Sequence, residues 1–402
     1  MEARPLAPYA HAPLLLFIAS FLMLQPLSTD LYLASLPGLA TYFQVPAATV
    51  QLTLSLFVLG FGAAQLVVGP LSDRFGRRPV ALGGLALYVF ASLLCSIATS
   101  VGLLIAARFL QALGCCAAVV ISRAVVRDAY APEHGARVVA RASTWLSLAP
   151  IFGPILGSYL QVAFGWRAAF VALATLSAGL LMLSIARMPE TNAHKNAEAT
   201  RVAGLLGNYR HVLASRAFWA HALPGALSYG AIFAFISGSS FVLIRVLGVP
   251  TEWFGYCFAL GVVGYMLGTL ACRRLLAALG AQRTLRLGSL VSLASGAGFV
   301  LAVLAGVAHW SLVVAAMFVT MAAHGINFPV AQAGAVAPFP KQAGTAAGLM
   351  GALYMGVAFL VGTTVGATHD GTLLPLALVS CALGLCIFAS ARAIRLAAEP
   401  AR

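Results

Sequence analysis

The stretch Gly69-Pro-Leu-Ser-Asp-Arg-Phe-Gly-Arg-Arg-Pro79 is a charged segment between two long hydrophobic runs, residues 50–68 and 80–98. Each run has about 19 residues, which at about 1.5 Å per residue is enough to cross a hydrocarbon core of about 30 Å. The stretch therefore predicts a tight hairpin between two membrane helices. Its three arginines favour the cytoplasmic side of the membrane, so this hairpin sets the orientation of the whole chain.

The composition is that of a membrane protein. Of the 402 residues, 61% are hydrophobic and only 8% are charged, a balance that soluble globular domains do not have. In a soluble chain the net charge of +14 would suggest a nucleic-acid partner. Here the basic residues follow the loops between hydrophobic runs, so we expect the lipid bilayer as partner and no nucleic acid.

Twelve apolar spans can be counted along the chain. They cover residues 13–36, 48–68, 79–99, 102–126, 141–163, 168–188, 217–246, 252–272, 284–305, 310–336, 342–365 and 372–391. With the N-terminus in the cytoplasm, all but four of the 24 Lys and Arg residues fall in cytoplasmic loops or ends, and the exceptions are Arg108, Arg123, Arg167 and Arg245. We therefore predict an all-α, multi-pass membrane protein of twelve transmembrane helices, with both termini in the cytoplasm.

A polar segment divides the spans into two groups of six. Residues 189–216 predict a cytoplasmic linker between an N-terminal bundle, 1–188, and a C-terminal bundle, 217–402. The sequence Gly268-Thr-Leu-Ala-Cys-Arg273 after span eight repeats the pattern that begins the hairpin after span two. Two pseudo-symmetric six-helix bundles are an arrangement of secondary transporters, and a channel or a membrane enzyme has no particular need for it.

A carboxylate and a guanidinium are predicted at membrane depth. Asp30 lies towards the outer half of span one, and Arg108 lies at a similar depth in span four. A charge there costs about 2.5–3.5 kcal/mol on insertion scales, so Asp30 should face a water-filled cavity or a partner. Desolvation favours its protonated form, which makes Asp30 a candidate proton carrier. The alternative is an acid at the outer interface.

Arg108 needs acceptors, because an arginine does not lose its proton. It can hold Asp30 in the charged form, or it can polarise waters and Gln111, which lies three residues on and therefore on the same helix face. A structural brace between helices is the alternative.

A second cluster of charges is expected at the cytoplasmic face, where the end of span four meets the hairpin. Its members are Asp73, Arg74, Gly76, Arg77, Arg127 and Asp128. Asp128 can pair with Arg74 or Arg77. Asp73 can pair with Arg127 or with a helix N-terminus. Exposed pairs contribute only about 0–1 kcal/mol, but a network near the interface can bias two conformations. The cluster predicts a switchable latch, with a solvated loop edge as the alternative.

Span five contains Gly153-Pro-Ile-Leu-Gly157. A proline bends a helix, and two glycines at this spacing allow close helix contact. We predict that Gly153, Pro154 and Gly157 shape a hinge or a sealed seam.

Polar and aromatic residues within the spans are candidates for a substrate cavity. They are Gln25, Tyr32, Cys115, Tyr229, Phe233, His324, Asn327 and Tyr354. The spans of the second half carry no charge at membrane depth, so a cavity of this kind suits an uncharged or weakly polar, partly aromatic ligand. Each of these residues can equally be a packing residue.

The sequence contains no nucleotide-binding loop, catalytic acid pair, nucleophile elbow or metal-ligand cluster. Its seven cysteines all lie in apolar runs, have no metal spacing and predict no disulfide. We therefore expect no enzyme activity and no cofactor or metal, with a proton gradient as the energy source.

The motifs together resemble the major facilitator superfamily. The hairpin 69–79, Arg108-Phe-Leu-Gln111 and Gly153-Pro-Ile-Leu-Gly157 match its loop, span-four and antiporter motifs. Asp30-Leu-Tyr-Leu33, Arg127-Asp-Ala-Tyr130 and Gly165-Trp-Arg167 resemble the bicyclomycin-resistance (Bcr/CflA) drug exporters, near those for chloramphenicol and florfenicol. The resemblance implies a bacterial inner membrane, a monomer, and coupling through Asp30 and Arg108 with Gln111 in support.

These observations lead to one main hypothesis and two alternatives. The main hypothesis is a proton-driven exporter of small, largely apolar antibiotics or other drugs, of the amphenicol or bicyclomycin kind, that works by alternating access. One alternative is an exporter or importer of a small metabolite, such as a sugar or an amino acid, on the same fold. The other is a membrane receptor that transports nothing.

Overall fold

The computed structural model describes residues 11–130, 138 and 148–393. The regular structure in these ranges is helical. Its α-helices are α1 His11–Asp30, α2 Leu36–Phe43, α3 Ala47–Phe75, α4 Arg77–Ser96, α5 Val101–Ala129, α6 Ala149–Phe164, α7 Arg167–Arg187, α8 Val202–Leu213, α9 Arg216–Ser240, α10 Thr251–Leu304, α11 Trp310–Val336, α12 Ala343–Thr368 and α13 Leu374–Ala393. The predicted start of span five at residue 141 lies outside the described residues.

The twelve predicted crossings are confirmed. Within the described ranges, ten segments are long and apolar enough to cross a membrane, and α6 is a shorter apolar helix. Helix α10 has 54 residues and is broken at Gly280, whose φ of 75° is open to glycine, so its two arms make two crossings. Helices suit this role because a membrane-spanning helix satisfies its own backbone hydrogen bonds.

The first membrane span is interrupted near its middle. Helix α1 ends at Asp30, a short turn follows at Leu33–Ser35, and α2 continues the span to Phe43. Since the whole span runs from Leu15 to Phe43, Asp30 lies close to its centre. Asp30 lies just past the midpoint of the span, nearer to its centre than the sequence-based end at residue 36 placed it.

Small residues bring the helices of the core close together. Helix α3 packs against α12, and α6 packs against the first arm of α10, so both contacts join the two halves. A Cβ on Gly255 of α10 would collide with the backbone of Ile155, and the Gly255 N–H donates to Ser158 Oγ at 3.1 Å. Within the first half, a Cβ on Gly157 would collide with the carbonyl oxygen of Leu31.

The two ends of the molecule differ. We call the end that carries the hairpin 69–79 the basic face, and the other end the opposite face. At the opposite face polar contacts join the halves. The guanidinium of Arg245 donates to the Pro37 carbonyl at 2.6 Å, and the Gln51 side-chain amide donates to the Ser237 carbonyl at 3.2 Å. These contacts hold the halves together at the opposite face.

The linker predicted at 189–216 contains helix α8 and is attached to the basic face. The Tyr209 hydroxyl donates to the Leu66 carbonyl at 2.6 Å. The side-chain amide of Asn192 donates to the Asp73 carbonyl at 3.1 Å. The linker therefore contacts the hairpin directly, which its polar composition does not reveal.

We expect Gly157→Ala to destabilise the protein, because the added methyl group collides with the Leu31 carbonyl. Overpacking of this kind typically costs about 1–3 kcal/mol. Gly179→Ala is the matched control, since a Cβ at Gly179 of α7 meets nothing within 4 Å. Thermal unfolding of the two purified variants measures the difference. Equal midpoints would contradict the close contact between α6 and the Leu31 carbonyl after α1.

Candidate functional site

A cavity of about 660 Å³ lies between the two halves of the protein. Its wall includes residues of α1, α5, α9, α10 and α11, so both halves contribute. Ligand pockets in proteins commonly have about 300–1,000 Å³. A second cavity of about 170 Å³ shares several lining residues with the first, among them Gln25, Arg123 and Tyr229. The two cavities together have room for a drug-sized molecule.

Asp30 lies in the wall of the larger cavity, at the end of α1. Of the seven acidic residues in the described ranges, Asp30 alone lines this cavity. Its side chain is 4% exposed, and its Oδ1 accepts a hydrogen bond from Thr29 Oγ1 at 2.8 Å. Behind it, Gly153 of α6 lies so close that a Cβ there would be 3.3 Å from the Asp30 Cβ. Asp30 is therefore packed directly against α6.

Arg108 is fully buried within the first half and does not line either cavity. Its Nη1 donates to Gln111 Oε1 at 2.6 Å, and its Nε donates to the Thr53 carbonyl at 3.3 Å. The guanidinium lies 4.6 Å from the ring centroid of Tyr32 and 4.3 Å from that of Phe57. Between the described residues no ion pair or hydrogen bond joins Arg108 to Asp30, so of its two predicted partners Arg108 has Gln111 and not Asp30 in this conformation. Arg108 reaches the segment after Asp30 through the Tyr32 ring.

Aromatic rings form the wall of the cavity on the side of the second half. The Tyr229 and Tyr354 rings are stacked, with centroids 6.1 Å apart and an interplanar angle of 14°. The His324 ring lies 5.0 Å from Phe328 and 5.8 Å from Tyr265, and its Nδ1 is 3.0 Å from Ser228 Oγ. These flat surfaces suit an aromatic ligand.

Five of the eight predicted cavity residues line a cavity. Gln25, Tyr229, Phe233 and His324 line the larger cavity, and Tyr354 lines the smaller one.

The other three predicted cavity residues point elsewhere. Tyr32 turns into the first half, where its hydroxyl contacts Thr53 Oγ1. Cys115 is buried against Ser28 Oγ, 3.9 Å away. Asn327 donates to Ser292 Oγ at 3.2 Å, between α11 and the second arm of α10. These three assignments to the cavity were wrong, because the helices are apolar on every side and the sequence pattern does not say which side faces inward.

The sequence-based reasoning also missed lining residues. Arg123, Tyr265 and Phe328 line the larger cavity. One signal was available for Arg123, which is the second arginine inside span four. Nothing comparable distinguishes the aromatic residues from packing residues.

At the basic face, Arg77 is the centre of the charge cluster. Its guanidinium is 4% exposed and contacts Asp128 Oδ2 at 2.7 Å and Asp73 Oδ1 at 2.5 Å. It also donates to Ser72 Oγ at 2.7 Å. Of the two partners predicted for Asp128, the structure has Arg77. Arg74 donates instead to Thr200 Oγ1 of the linker at 2.6 Å.

Asp73 has neither of its predicted partners. It pairs with Arg77, and Arg127 forms no ion pair with any described residue. Arg127 extends towards Gly344 of the second half, where its Nη1 is 3.6 Å from the place of a Cβ. The helix N-terminus at Arg77 is capped by Glu190, whose carboxylate accepts from the Arg77 N–H at 2.9 Å.

Glu190 belongs to the linker and was not predicted. Its carboxylate also accepts from the backbone N–H groups of Arg78 at 3.1 Å and Asn192 at 2.8 Å. Gly76 makes room for it, since the φ of 110° at Gly76 favours glycine and a Cβ there would collide with Glu190. Burial raises the pKa of the Glu190 carboxyl, but these hydrogen bonds and the charge of Lys195 outweigh burial, so its pKa lies below the ordinary value of 4.5.

Twelve membrane crossings in two halves around a central cavity, with an acid in the cavity wall, are features of a secondary transporter and not of an enzyme. The sequence profile of the Major Facilitator Superfamily matches residues 16–363. The chain belongs to the Major Facilitator Superfamily, as the motifs predicted.

Two curated relatives and one solved structure illustrate what the chain is similar to. It is 30% identical over 370 residues to the bicyclomycin resistance protein homolog of Haemophilus influenzae, covering 92% of each chain. It is 33% identical over 285 residues to a chloramphenicol resistance protein of Pseudomonas aeruginosa, covering 70% of this chain and 66% of that one. A bacterial homolog of the human lysosomal transporter Spinster, inward-facing and occupied, shares the fold with a TM-score of 0.71 and 15% identity, over 98% of this chain and 97% of that one. The resemblance to the bicyclomycin-resistance group is thereby confirmed.

We expect Asp128→Asn to lower the free energy of unfolding more than Asp73→Asn does. Asp128 is 16% exposed and Asp73 is 43% exposed, so the Asp128 pair with Arg77 is less screened by water. The expected losses are about 1–3 kcal/mol for Asp128→Asn and below about 1 kcal/mol for Asp73→Asn. Thermal unfolding of both purified variants measures them. A larger loss for Asp73→Asn would show that Asp128 is not the main partner of Arg77.

The cap by Glu190 predicts a pH dependence of stability. Because the folded pKa of Glu190 lies below 4.5, the charged cap stabilises the folded state above that pH, and this contribution is lost as the pH falls through the lowered pKa. Glu190→Gln should lower the free energy of unfolding at neutral pH by at most about 1 kcal/mol, because the group is largely exposed. The unfolding midpoint should fall accordingly. The gap to the wild type should close on acidification below 4.5.

The measurement for this cap is the unfolding midpoint as a function of pH for the wild type, Glu190→Gln and Glu198→Gln. Glu198 is an exposed acid of the same linker, paired only with Arg201 in the described structure. A gap for Glu190→Gln that stays constant with pH would exclude a charged cap.

Proposed function

We propose that this protein is a proton-driven exporter of small drug-like molecules that works by alternating access. The observation that carries the proposal is the position of Asp30, a buried carboxylate in the wall of an otherwise mainly apolar and aromatic cavity between the two halves. A buried carboxyl at membrane depth is costly when charged, so it readily takes up a proton when no cation stands beside it.

The names of the relatives support drug export. The relatives named above are called resistance proteins for bicyclomycin and for chloramphenicol. The aromatic wall formed by Tyr229, Phe328 and Tyr354 suits small, partly aromatic antibiotics of that size. We propose the same class of substrate for this chain, carried by a monomer.

The orientation follows from the charges. With the basic face in the cytoplasm, the chain obeys the positive-inside rule in a bacterial inner membrane, and both termini are cytoplasmic. The cavity wall then includes Val126 and Ala347, near the cytoplasmic ends of α5 and α12, whereas Arg245 and Gln51 hold the outer ends together. This is the arrangement of an inward-facing state, ready to bind drug from the cytoplasm.

The proposed cycle couples drug and proton by exclusion. Facing inward, Asp30 is deprotonated and drug enters between the halves. After the switch outward, a proton from outside binds Asp30 and the drug leaves, and the return inward releases the proton. A membrane potential of 100 mV supplies about 2.3 kcal/mol for one charge, and a pH difference of one unit about 1.4 kcal/mol. One proton therefore supports a gradient of a few hundred-fold for a neutral drug.

The cluster around Arg77 supports the switch. It joins the end of α3, the start of α4 and the end of α5 within the first half, and the linker caps it. We propose that Arg77, Asp73 and Asp128 with Gly76 form a latch, and that Arg127 and Arg74 contact the second half and the linker. The first half then moves as one body.

The test uses everted vesicles from cells that express the chain. Addition of chloramphenicol, florfenicol or a cationic dye should dissipate an imposed pH gradient, and Asp30→Asn should abolish the response. Asp370→Asn is the matched control, since it removes the same charge from an exposed loop at the opposite face and should behave as the wild type.

Each outcome of this test has one meaning. No response to any compound, with the protein confirmed in the membrane, favours a metabolite transporter or a receptor. A response that survives in Asp30→Asn keeps proton exchange and excludes Asp30 as the carrier.

A further inference from the structure

Arg123 lines both cavities, whereas Asp30 lines only the larger one. Arg123 lies six residues before the end of α5, and its side chain shares the smaller cavity with Leu22, Tyr229 and Tyr354. These three residues lie eleven or more positions inside their own helices, which is about 16 Å or more from the basic ends of those helices. The Arg123 side chain therefore reaches inward to membrane depth.

Arg123 is unpaired in the described part of the chain. Arg123 forms no ion pair, hydrogen bond or ring contact with another described residue, and its side chain is exposed to the cavity. Arg108, in the same helix, is by contrast held by Gln111, by the Thr53 carbonyl and by two aromatic rings. Arg108 is thus held inside the protein by packing and hydrogen bonds, whereas Arg123 faces the cavity without a described anion beside it.

The groups around Arg123 add donors and no negative charge. The smaller cavity is lined by the carboxamides of Gln25, Gln65 and Gln332 together with Arg123, and none of its described lining residues is acidic. An arginine offers a fork of N–H donors, and each carboxamide offers two more. Such a set fits an oxyanion, because charge-assisted hydrogen bonds from a guanidinium to a carboxylate are short and strong.

An aromatic surface stands beside these donors. The Tyr229, Phe328 and Tyr354 rings line the same small cavity, with Phe328 and Tyr354 centroids 5.5 Å apart. A molecule with a flat aromatic body and an acidic group at one end would place its ring on these side chains and its oxyanion at Arg123.

We propose that Arg123 binds an oxyanion group, a carboxylate above all, of an aromatic molecule that this protein transports. The inference rests on the proposed export function and names a substrate class for it. Asp30 does not line the smaller cavity and remains free for the proton, so substrate and proton occupy separate charged groups. Exchange of one monoanion for one proton moves two charges per cycle, whereas exchange of a neutral drug moves one.

The experiment measures binding to the purified full-length protein without any proton gradient. The probes are naphthoate and its uncharged amide, naphthamide, which have nearly the same shape. We expect the wild type to prefer naphthoate by about tenfold. Arg123→Gln should bring the two affinities to within about twofold while leaving naphthamide binding unchanged, and Arg123→Lys should retain part of the preference.

Arg273→Gln is the matched control. It removes the same charge from an exposed position of α10 outside both cavities, so the preference for naphthoate should stay as in the wild type. Unchanged unfolding midpoints verify that each variant is folded.

Three results would overturn the inference. One is a wild type that does not bind naphthoate or does not prefer it. Another is an equal loss of both probes in Arg123→Gln, which would make Arg123 structural. The third is an equal loss of preference in Arg273→Gln, which would reduce the effect to surface potential. Because binding is measured without a gradient, it can succeed while proton exchange in vesicles fails, and the two proposals are judged separately.

Discussion

A charge inside the bilayer must be neutralised, hydrogen-bonded or given access to water, since leaving it alone costs about 2.5–3.5 kcal/mol or more. Among the described residues, Arg108, Asp30 and Arg123 meet this constraint in three ways. Arg108 is packed between aromatic rings and bonded to Gln111. Asp30 can neutralise itself by taking a proton, and Arg123 faces the cavity. Two of these charges therefore line the central cavity, and the third is buried in the packed core of the first half.

At the basic face, which is closer to water, buried charges are likewise paired or hydrogen-bonded. Arg77 is as buried as Asp30, and it is held by two carboxylates and a hydroxyl. Glu190 then satisfies the N–H groups at the start of α4, which the hairpin leaves without helical partners. The linker thus completes a cluster that the hairpin alone cannot satisfy, and this explains why the polar segment between the halves is ordered against the basic face.

Much of this architecture could be predicted from sequence, because hydrophobic runs and arginine-rich loops report directly on membrane crossing. The hairpin at 69–79 and the count of twelve spans are of this kind. The break after Asp30 could not be predicted, since no proline or glycine stands at Leu31 or Tyr32. The direction of Asn327 could not either, because α11 is apolar all round and its periodicity marks no face. The pairing of Asp73 with Arg77 instead of Arg127 depends on the turn at Gly76, a tertiary detail.

The break in the first span lies against a helix that reaches the seam between the two halves. Helix α6 lies between Asp30 and the second half. On one side its Gly153 and Gly157 touch Asp30 and the Leu31 carbonyl, and on the other side Ile155 touches Gly255 of α10. A helix packed this closely on both sides passes a shift at the break straight to the seam between the halves, because a well-packed core does not absorb it. Pro154 removes a backbone hydrogen bond inside α6 at this point, so the helix that transmits the shift is also the one that can bend there. Arg108 contacts the same break through Tyr32, whose ring centroid lies 4.6 Å from the guanidinium.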